Sequence, residues 1–105
     1  MKITLAQINP TVGALRENCS KIKEIMDKYS SLCDIIVFPE MVLTGYPPQD
    51  LLLDKSFLVS AERSLDELVK SSCETPIVIG TIRQYNSKLY NTAVVLQNGE
   101  IQAFR

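Results

Sequence analysis

Residues 34–40 read DIIVFPE, an apolar run that a proline closes and a glutamate follows. Consecutive apolar side chains indicate a strand that is buried on both faces, as in a sheet covered by helices. The carboxyl ends of such strands face the crevice where open α/β sheets bind ligands. Glu40 is therefore predicted to lie at a ligand site, half-buried beside apolar residues, and Pro39 restricts the backbone just before it.

Strands and helices alternate along the rest of the chain. Residues 2–8 alternate loosely and end at an Asn-Pro pair, which predicts a first strand. Apolar side chains spaced three and four apart predict a helix over Leu15–Tyr29 and a second one within residues 58–69. Residues 40–54 contain a glycine and two prolines and predict a loop. Residues 77–82 predict a third strand.

The last part of the chain predicts a β-hairpin. Residues 89–96 and 100–104 flank a Gln-Asn-Gly turn, and Asn-Gly favours a type I′ turn in which both central residues have positive φ. The order β-α-β-α-β-β-β then indicates an α/β domain with a mixed sheet. Because two helices cover only one face of such a sheet, residues 1–105 are expected to be the N-terminal part of a larger domain.

The composition narrows the chemistry that this segment can perform. The 105 residues are 46% hydrophobic and 22% charged, as in one small globular domain. The formal net charge of −1 disfavours nucleic-acid binding through phosphates. The chain has no histidine, which excludes Ser-His and Cys-His nucleophiles and histidine metal ligands within it. Its four glycines are isolated, so no phosphate-binding loop and no cofactor site are expected in this segment.

Neither a membrane segment nor a disulfide framework is predicted. No apolar run approaches the roughly 18 residues of a membrane span, and the N-terminus lacks the apolar core of a signal peptide, so a cytoplasmic protein is expected. Cys19 and Cys73 are predicted on helices and Cys33 just before the buried strand. Their odd number and wide spacing predict buried free thiols. Asp50 and Asp54 are better explained by solvation or helix capping than by a metal site.

Two roles are open for Glu40 on the residues alone. A carboxylate that is fixed at the end of a buried strand can act as a general base. Acids at strand ends also commonly cap a turn or pair with a lysine. The two roles differ in one respect: a general base has a carboxylate that is free to react, whereas the carboxylate of a cap or an ion pair is occupied.

Four stretches of this sequence resemble the nitrilase superfamily of carbon–nitrogen hydrolases. The most specific is the motif PExxLTGY after an apolar strand, whereas the hairpin alone is a weak signal. The segment PPQDLLL resembles an extension of the glutamine-dependent NAD+ synthetases, so the chain is similar to the N-terminal glutaminase domain of that branch. The four stretches are residues 3–13 (ITLAQINPTVG, followed by Asn18), 38–46 (FPEMVLTGY), 47–53 (PPQDLLL) and 90–101 (YNTAVVLQNGEI).

The resemblance implies a four-layer α/β/β/α sandwich, to which this chain contributes a mixed sheet with two helices on one face. It also implies a Glu-Lys-Cys triad. The glutamate takes the proton of a cysteine, which attacks the amide carbon of glutamine and forms a thioester, while the lysine helps to hold the oxyanion. The released ammonia passes to a synthetase domain of the same polypeptide, which uses ATP, Mg²⁺ and deamido-NAD+. The resemblance further implies a homo-oligomeric enzyme.

On the family's motifs, Glu40 matches the general base, and Tyr46 matches a position that either contacts substrate or packs the loop. The family's lysine follows the hairpin strand in a KxxLP pattern that begins about where Arg105 stands, and its cysteine lies further on. None of the three cysteines in this chain fits the nucleophile's pattern, so the chain alone is expected to be inactive. The alternatives are a fragment of a stand-alone nitrilase-family amidase and a non-catalytic truncated product.

Overall fold

The computed structural model describes residues 1–45 and 49–105. Its strands and helices follow the predicted order, with one short helix added inside the predicted loop. The elements are β1 (Ile3–Leu5), α1 (Leu15–Tyr29), β2 (Ile35–Val37), α2 (Gln49–Leu52), α3 (Lys55–Ser71), β3 (Ile77–Tyr85), β4 (Lys88–Gln97) and β5 (Glu100–Phe104).

The five strands form one mixed sheet in the order β1-β2-β3-β4-β5. Strands β1, β2 and β3 are parallel neighbours, whereas β3, β4 and β5 pair in antiparallel fashion. Helices form the crossovers between the parallel strands, and tight turns join the antiparallel ones. The turn between β4 and β5 is as predicted, because Asn98 and Gly99 have φ angles of 52° and 77°. The predicted mixed α/β fold is therefore confirmed.

Helices α1 and α3 cover one face of the sheet, as predicted. Both are amphipathic and turn their apolar side toward the strands. Asp54 caps α3, its carboxylate accepting the backbone N–H groups of Ser56 and Phe57. No helix within residues 1–45 and 49–105 is long and apolar enough to cross a membrane. The core between helices and sheet includes the buried side chains of Ile22, Leu65, Leu68, Ile36, Ile77, Ile79, Val94 and Leu96.

The opposite face of the sheet is apolar, and the described residues leave part of it uncovered. Leu5, Val37, Val78 and Val95 form a row across four strands, because each is the register partner of the next. Leu5 is 69% exposed, and the three valines are half-buried. The prediction that β2 is buried on both faces is therefore wrong here, since only Ile36 on the helix face is fully buried. A sheet of this composition needs a second covering layer.

Three local predictions are corrected by the structure. The predicted loop over residues 40–54 contains the helix α2. The third strand continues to Tyr85, where a tight turn with positive φ at Asn86 and Ser87 leads directly into β4. The first strand is shorter than the predicted residues 2–8, because β2, its neighbour among the described residues, offers only three residues to pair with.

The three cysteines occupy different environments. Cys19 is buried in α1, Cys33 is half-buried, and Cys73 is exposed. The prediction of buried thiols is therefore right only for Cys19. Cys73 also lies outside the helix on which it was predicted, because α3 ends at Ser71 and the chain then leaves the core.

Candidate functional site

The turn that follows β2 carries Glu40. Phe38 continues the strand, its N–H donating to the carbonyl oxygen of Val78 at 2.9 Å. The N–H of Leu43 donates to the carbonyl oxygen of Gly80 at 3.2 Å. Between these two hydrogen bonds the chain leaves the sheet, so Glu40 lies at the carboxyl end of β2, as predicted.

Gly80 allows this turn to lie directly on β3. A Cβ atom at this position would be 2.5 Å from the backbone nitrogen of Met41 and 2.9 Å from the Cα of Glu40. Both distances are too short for any side chain, so the turn can approach β3 this closely only at a glycine. A glycine inside an apolar strand is a sequence signal for close backbone approach. The sequence gives no sign of which backbone approaches.

The carboxylate of Glu40 accepts a hydrogen bond from the side-chain Nδ2 of Asn91. Asn91 belongs to β4, where it is the register partner of Ile82, and it lies 51 residues after Glu40. An amide donor at this place fixes the direction in which the carboxylate points. Sequence reasoning did not single out Asn91. The available signal was an amide side chain in the hairpin strand, shortly before the apolar residues 93–96.

Glu40 and Asn91 line a cleft of about 300 Å³ on the uncovered side of the sheet. Arg105 lines it as well, because the chain continues past β5 and pairs with Ala93 through two backbone hydrogen bonds of 2.8 Å. Four segments of the chain, residues 38–40, 78–80, 91–93 and Arg105, therefore meet at this cleft. Its lining residues are Phe38, Pro39, Glu40, Val78, Ile79, Gly80, Asn91, Thr92, Ala93 and Arg105.

Glu40 is exposed, and the prediction of a half-buried carboxylate is wrong for this chain. The reason is its location at the uncovered face of the sheet. The ion pairs among the described residues are Lys23–Glu67 at 3.9 Å and Arg83–Glu62 at 3.0 Å, and neither involves Glu40. The one hydrogen bond of its carboxylate in the described part of the chain goes to a side chain and not to a turn backbone. This geometry favours a carboxylate that is free to react over a structural cap.

Asn18 of α1 ties the N-terminal loop to the turn that carries Glu40. Its Nδ2 donates to the carbonyl oxygens of Thr11 at 2.8 Å and Leu43 at 3.0 Å, and its Oδ1 accepts the N–H of Thr11 at 2.9 Å. The N–H of Gly13 adds a bond of 3.0 Å to the carbonyl oxygen of Thr44. Because Asn18 is fully buried and its bond to Leu43 is shielded from water, this side chain stabilises the turn.

None of the cysteines lies near Glu40. Cys19 sits between α1 and α3 on the helix side of the sheet, where its thiol donates to the carbonyl oxygen of Ser64 at 3.8 Å. Burial raises the pKa of the Cys19 thiol, which keeps it protonated and unreactive. Cys33 and Cys73 precede β2 and β3, at the opposite end of the strands from Glu40.

Three further residues, Tyr46, Asp50 and Asp54, were candidates on the sequence. Tyr46, predicted to contact substrate or to pack the loop, lies outside the described residues. Asp54 caps α3, and Asp50 is exposed on α2. Within residues 1–45 and 49–105, no three side chains of the types that commonly ligate metals come together.

The fold and the cleft define an α/β domain of the nitrilase type, with helices on one face of a mixed sheet and a carboxylate at the end of its second parallel strand. The family model for carbon-nitrogen hydrolases matches residues 2–103. The chain belongs to the carbon–nitrogen hydrolase family.

Known proteins similar to this chain include glutamine-dependent NAD+ synthetases and an amidase. A glutamine-dependent NAD(+) synthetase from Aquifex aeolicus is 38% identical over 102 residues, which cover 96% of this chain and 18% of that protein. A glutamine-dependent NAD+ synthetase from Acinetobacter baumannii, solved in complex with adenosine diphosphate, matches the structure with a TM-score of 0.89 at 28% identity, covering 99% of this chain and 20% of that one. An amidase from Nesterenkonia sp. matches with a TM-score of 0.78 at 19% identity, covering 99% and 41%. The chain thus spans about a fifth of the length of these synthetases.

Proposed function

We propose that this chain is the N-terminal part of the glutaminase domain of a glutamine-dependent NAD+ synthetase, and that Glu40 is its general base. The observation that carries the proposal is the carboxylate of Glu40, held by Asn91 in an open cleft and paired with no cation among the described residues. A general base needs this combination of a fixed position and a free acceptor oxygen. The similarity to NAD+ synthetases over almost the whole chain supports glutamine as the substrate.

In this proposal Glu40 accepts the proton of a cysteine thiol as the sulfur attacks the amide carbon of glutamine. A carbon–sulfur bond forms, and the carbon–nitrogen bond then breaks as the departing nitrogen takes a proton and leaves as ammonia. Water hydrolyses the thioester and releases glutamate. The cysteine and the oxyanion-binding lysine come from the part of the polypeptide that follows these residues. The course of β5 supports this, because it brings position 105, where the lysine pattern is expected, to the cleft of Glu40.

The ammonia then serves a synthetase domain of the same polypeptide, which amidates deamido-NAD+ with ATP and Mg²⁺. The length of the matched synthetases supports such a domain, since this chain accounts for about a fifth of each. This segment itself binds no cofactor in the proposal and contributes to the glutamine site only. We place the enzyme, as a homo-oligomer, in the cytoplasm, where its ATP is supplied.

The test replaces Glu40 with glutamine in the full-length enzyme. Glu40→Gln keeps the size of the side chain but removes the base, which is worth about 10²–10⁴-fold in rate. NAD+ formation driven by glutamine should fall by that factor, whereas formation driven by free ammonia should survive because it bypasses the thioester. Glu24→Gln, at an exposed position on α1, is the matched control and should change neither rate. A glutamine-driven rate of Glu40→Gln within about threefold of the wild type would contradict the proposal.

A stand-alone amidase is the second candidate, because the Nesterenkonia amidase shares this fold over nearly the whole chain. The segment PPQDLLL, which resembles the synthetase branch, favours the first candidate. The two differ in what the full-length protein does with ammonia. A synthetase forms NAD+ from deamido-NAD+ and ammonia, whereas an amidase hydrolyses simple amides and forms none.

A further inference from the structure

We infer that Asn91 is the positioning residue of the general base, because its side-chain amide holds the carboxylate of Glu40 in the direction that proton transfer requires. The inference rests on the proposed function, in which Glu40 accepts the thiol proton. It is carried by the hydrogen bond from Asn91 Nδ2 to Glu40 Oε1 and by the way the fold fixes its two ends.

The backbone of Glu40 is fixed, but this alone does not orient its carboxylate. Close contact with Gly80 and the hydrogen bond from the Leu43 N–H hold the turn on β3. Three side-chain torsions still separate the Glu40 backbone from its carboxylate, and an exposed glutamate samples several rotamers. Among the described residues, Asn91 is the group that restrains these torsions by a hydrogen bond.

Asn91 is suited to this task because its own backbone is firmly held. Strand β4 pairs with β3 over the entire length of β3, and the register sets Asn91 opposite Ile82. Two residues further along, Ala93 is the register partner of Gly80. The donor and the surface that supports the Glu40 turn therefore belong to the same pair of strands, so their separation is fixed by one antiparallel ladder.

A neutral amide is a better partner for a base than a cation would be. A cation stabilises the charged carboxylate strongly and so weakens it as a proton acceptor, whereas an amide orients it at a smaller cost. Arg105 lines the same cleft, but among the described residues no ion pair joins it or any other cation to Glu40. Arg83, one residue beyond Ile82 on β3, is held by Glu62 of α3 through bonds of 3.0 and 3.3 Å.

The experiment replaces Asn91 with aspartate in the full-length enzyme. Asn91→Asp keeps the shape of the side chain but turns the donor into a carboxylate that faces Glu40. The kcat for glutamine-driven NAD+ formation should fall by about 10- to 100-fold, because a displacement of about 1 Å costs roughly 10²-fold. The KM for glutamine should stay within about threefold, since a residue that acts only on the base does not bind substrate.

Asn86→Asp is the matched control. It makes the same chemical change at the exposed turn between β3 and β4, and it should leave both kinetic constants unchanged. The ammonia-driven rate reports on folding. If Asn91→Asp lowers the ammonia-driven rate as well, the experiment is repeated with Asn91→Ser. The same changes in kcat and KM are then expected.

A double mutant separates action through Glu40 from an independent role. In the Glu40→Gln background, Asn91→Asp should cause no further loss of kcat, because the group that it positions is already gone. Additive losses, a raised KM with unchanged kcat, or full activity of the Asn91 variants would overturn the inference while leaving the role of Glu40 intact. If Glu40→Gln itself kept its glutamine-driven activity, the proposed function would fail, and this inference with it.

Discussion

Replacing Gly80 with alanine should displace the general base while leaving the Glu40 side chain itself unchanged. The new Cβ would lie 2.5 Å from the Met41 nitrogen, 2.9 Å from the Glu40 Cα and 3.1 Å from the Glu40 carbonyl carbon. All three are backbone atoms, so no side-chain rotation relieves the contact. Ordinary contact begins at 3.4 Å, and the turn must therefore retreat by about 0.9 Å, the difference between 3.4 and 2.5 Å.

A retreat of this size acts on both stability and rate. Overpacking of this kind costs about 1–3 kcal/mol of unfolding free energy, and the hydrogen bond from Leu43 to Gly80, at 3.2 Å, would lengthen further. A displacement of roughly 1 Å at a catalytic group costs on the order of 10²-fold in rate. We therefore expect Gly80→Ala to lower the glutamine-driven rate about 10²-fold at temperatures where the enzyme remains folded.

The assay compares glutamine-driven and ammonia-driven NAD+ formation on one preparation of the full-length enzyme, beside a urea unfolding curve. Gly99→Ala is the control, because a Cβ there meets nothing within 4 Å. Because the φ of 77° at this position strains an alanine, Gly99→Ala should lower the free energy of unfolding. It should leave the ratio of the glutamine-driven to the ammonia-driven rate unchanged. If Gly80→Ala keeps its glutamine-driven rate within about threefold of the wild type, the close approach of the Glu40 turn to β3 does not determine the position of the general base.

Further predictions concern the scaffold and the cysteines. Asp54→Ala removes the cap of α3 and should lower the free energy of unfolding, measured by urea denaturation, by about 1 kcal/mol. An unchanged midpoint of the urea unfolding curve would contradict the role of Asp54 as the cap. Asn18→Ala removes the three hydrogen bonds of a fully buried side chain and should cost about 3 kcal/mol, whereas Asn98→Asp at the exposed hairpin turn should cost little. Cys73 should react with maleimide at once. Cys19, whose pKa burial raises, should label in the folded protein only at higher pH than in urea, and equal pH profiles would show that it is not buried.

Local patterns along the chain were enough to predict most of the fold. The apolar spacing gave the bounds of α1, and the Asn-Gly pair gave the turn between β4 and β5. The end of the apolar run at Pro39 placed Glu40 at the carboxyl end of β2. These features depend on neighbours within a few residues, which is why a single sequence reveals them. The turn at Asn86 and Ser87 was missed because it contains no glycine or proline.

The environment of Glu40 could not be predicted from the same patterns. Its partner Asn91 is 51 residues away, and the contact depends on the register between β3 and β4. The role of Gly80 depends on which backbone crosses it, and that is set by the parallel pairing of β2 with β3. The exposure of Glu40 depends on the uncovered face of the sheet. Each of these is a property of tertiary packing.

The sequence separation between Glu40 and its partner has a consequence for how this region matures during synthesis. At about 5–20 residues per second, Asn91 is added roughly 3–10 s after Glu40. Until β4 has emerged from the ribosome and paired with β3, the glutamate has a backbone turn but no orienting donor. The antiparallel pairing of β3 with β4 is local and fast, whereas the parallel pairing of β1 and β2 joins segments about 30 residues apart. The carboxylate of Glu40 is thus expected to become oriented late in synthesis. The pairing of β3 with β4 is the event that completes this orientation.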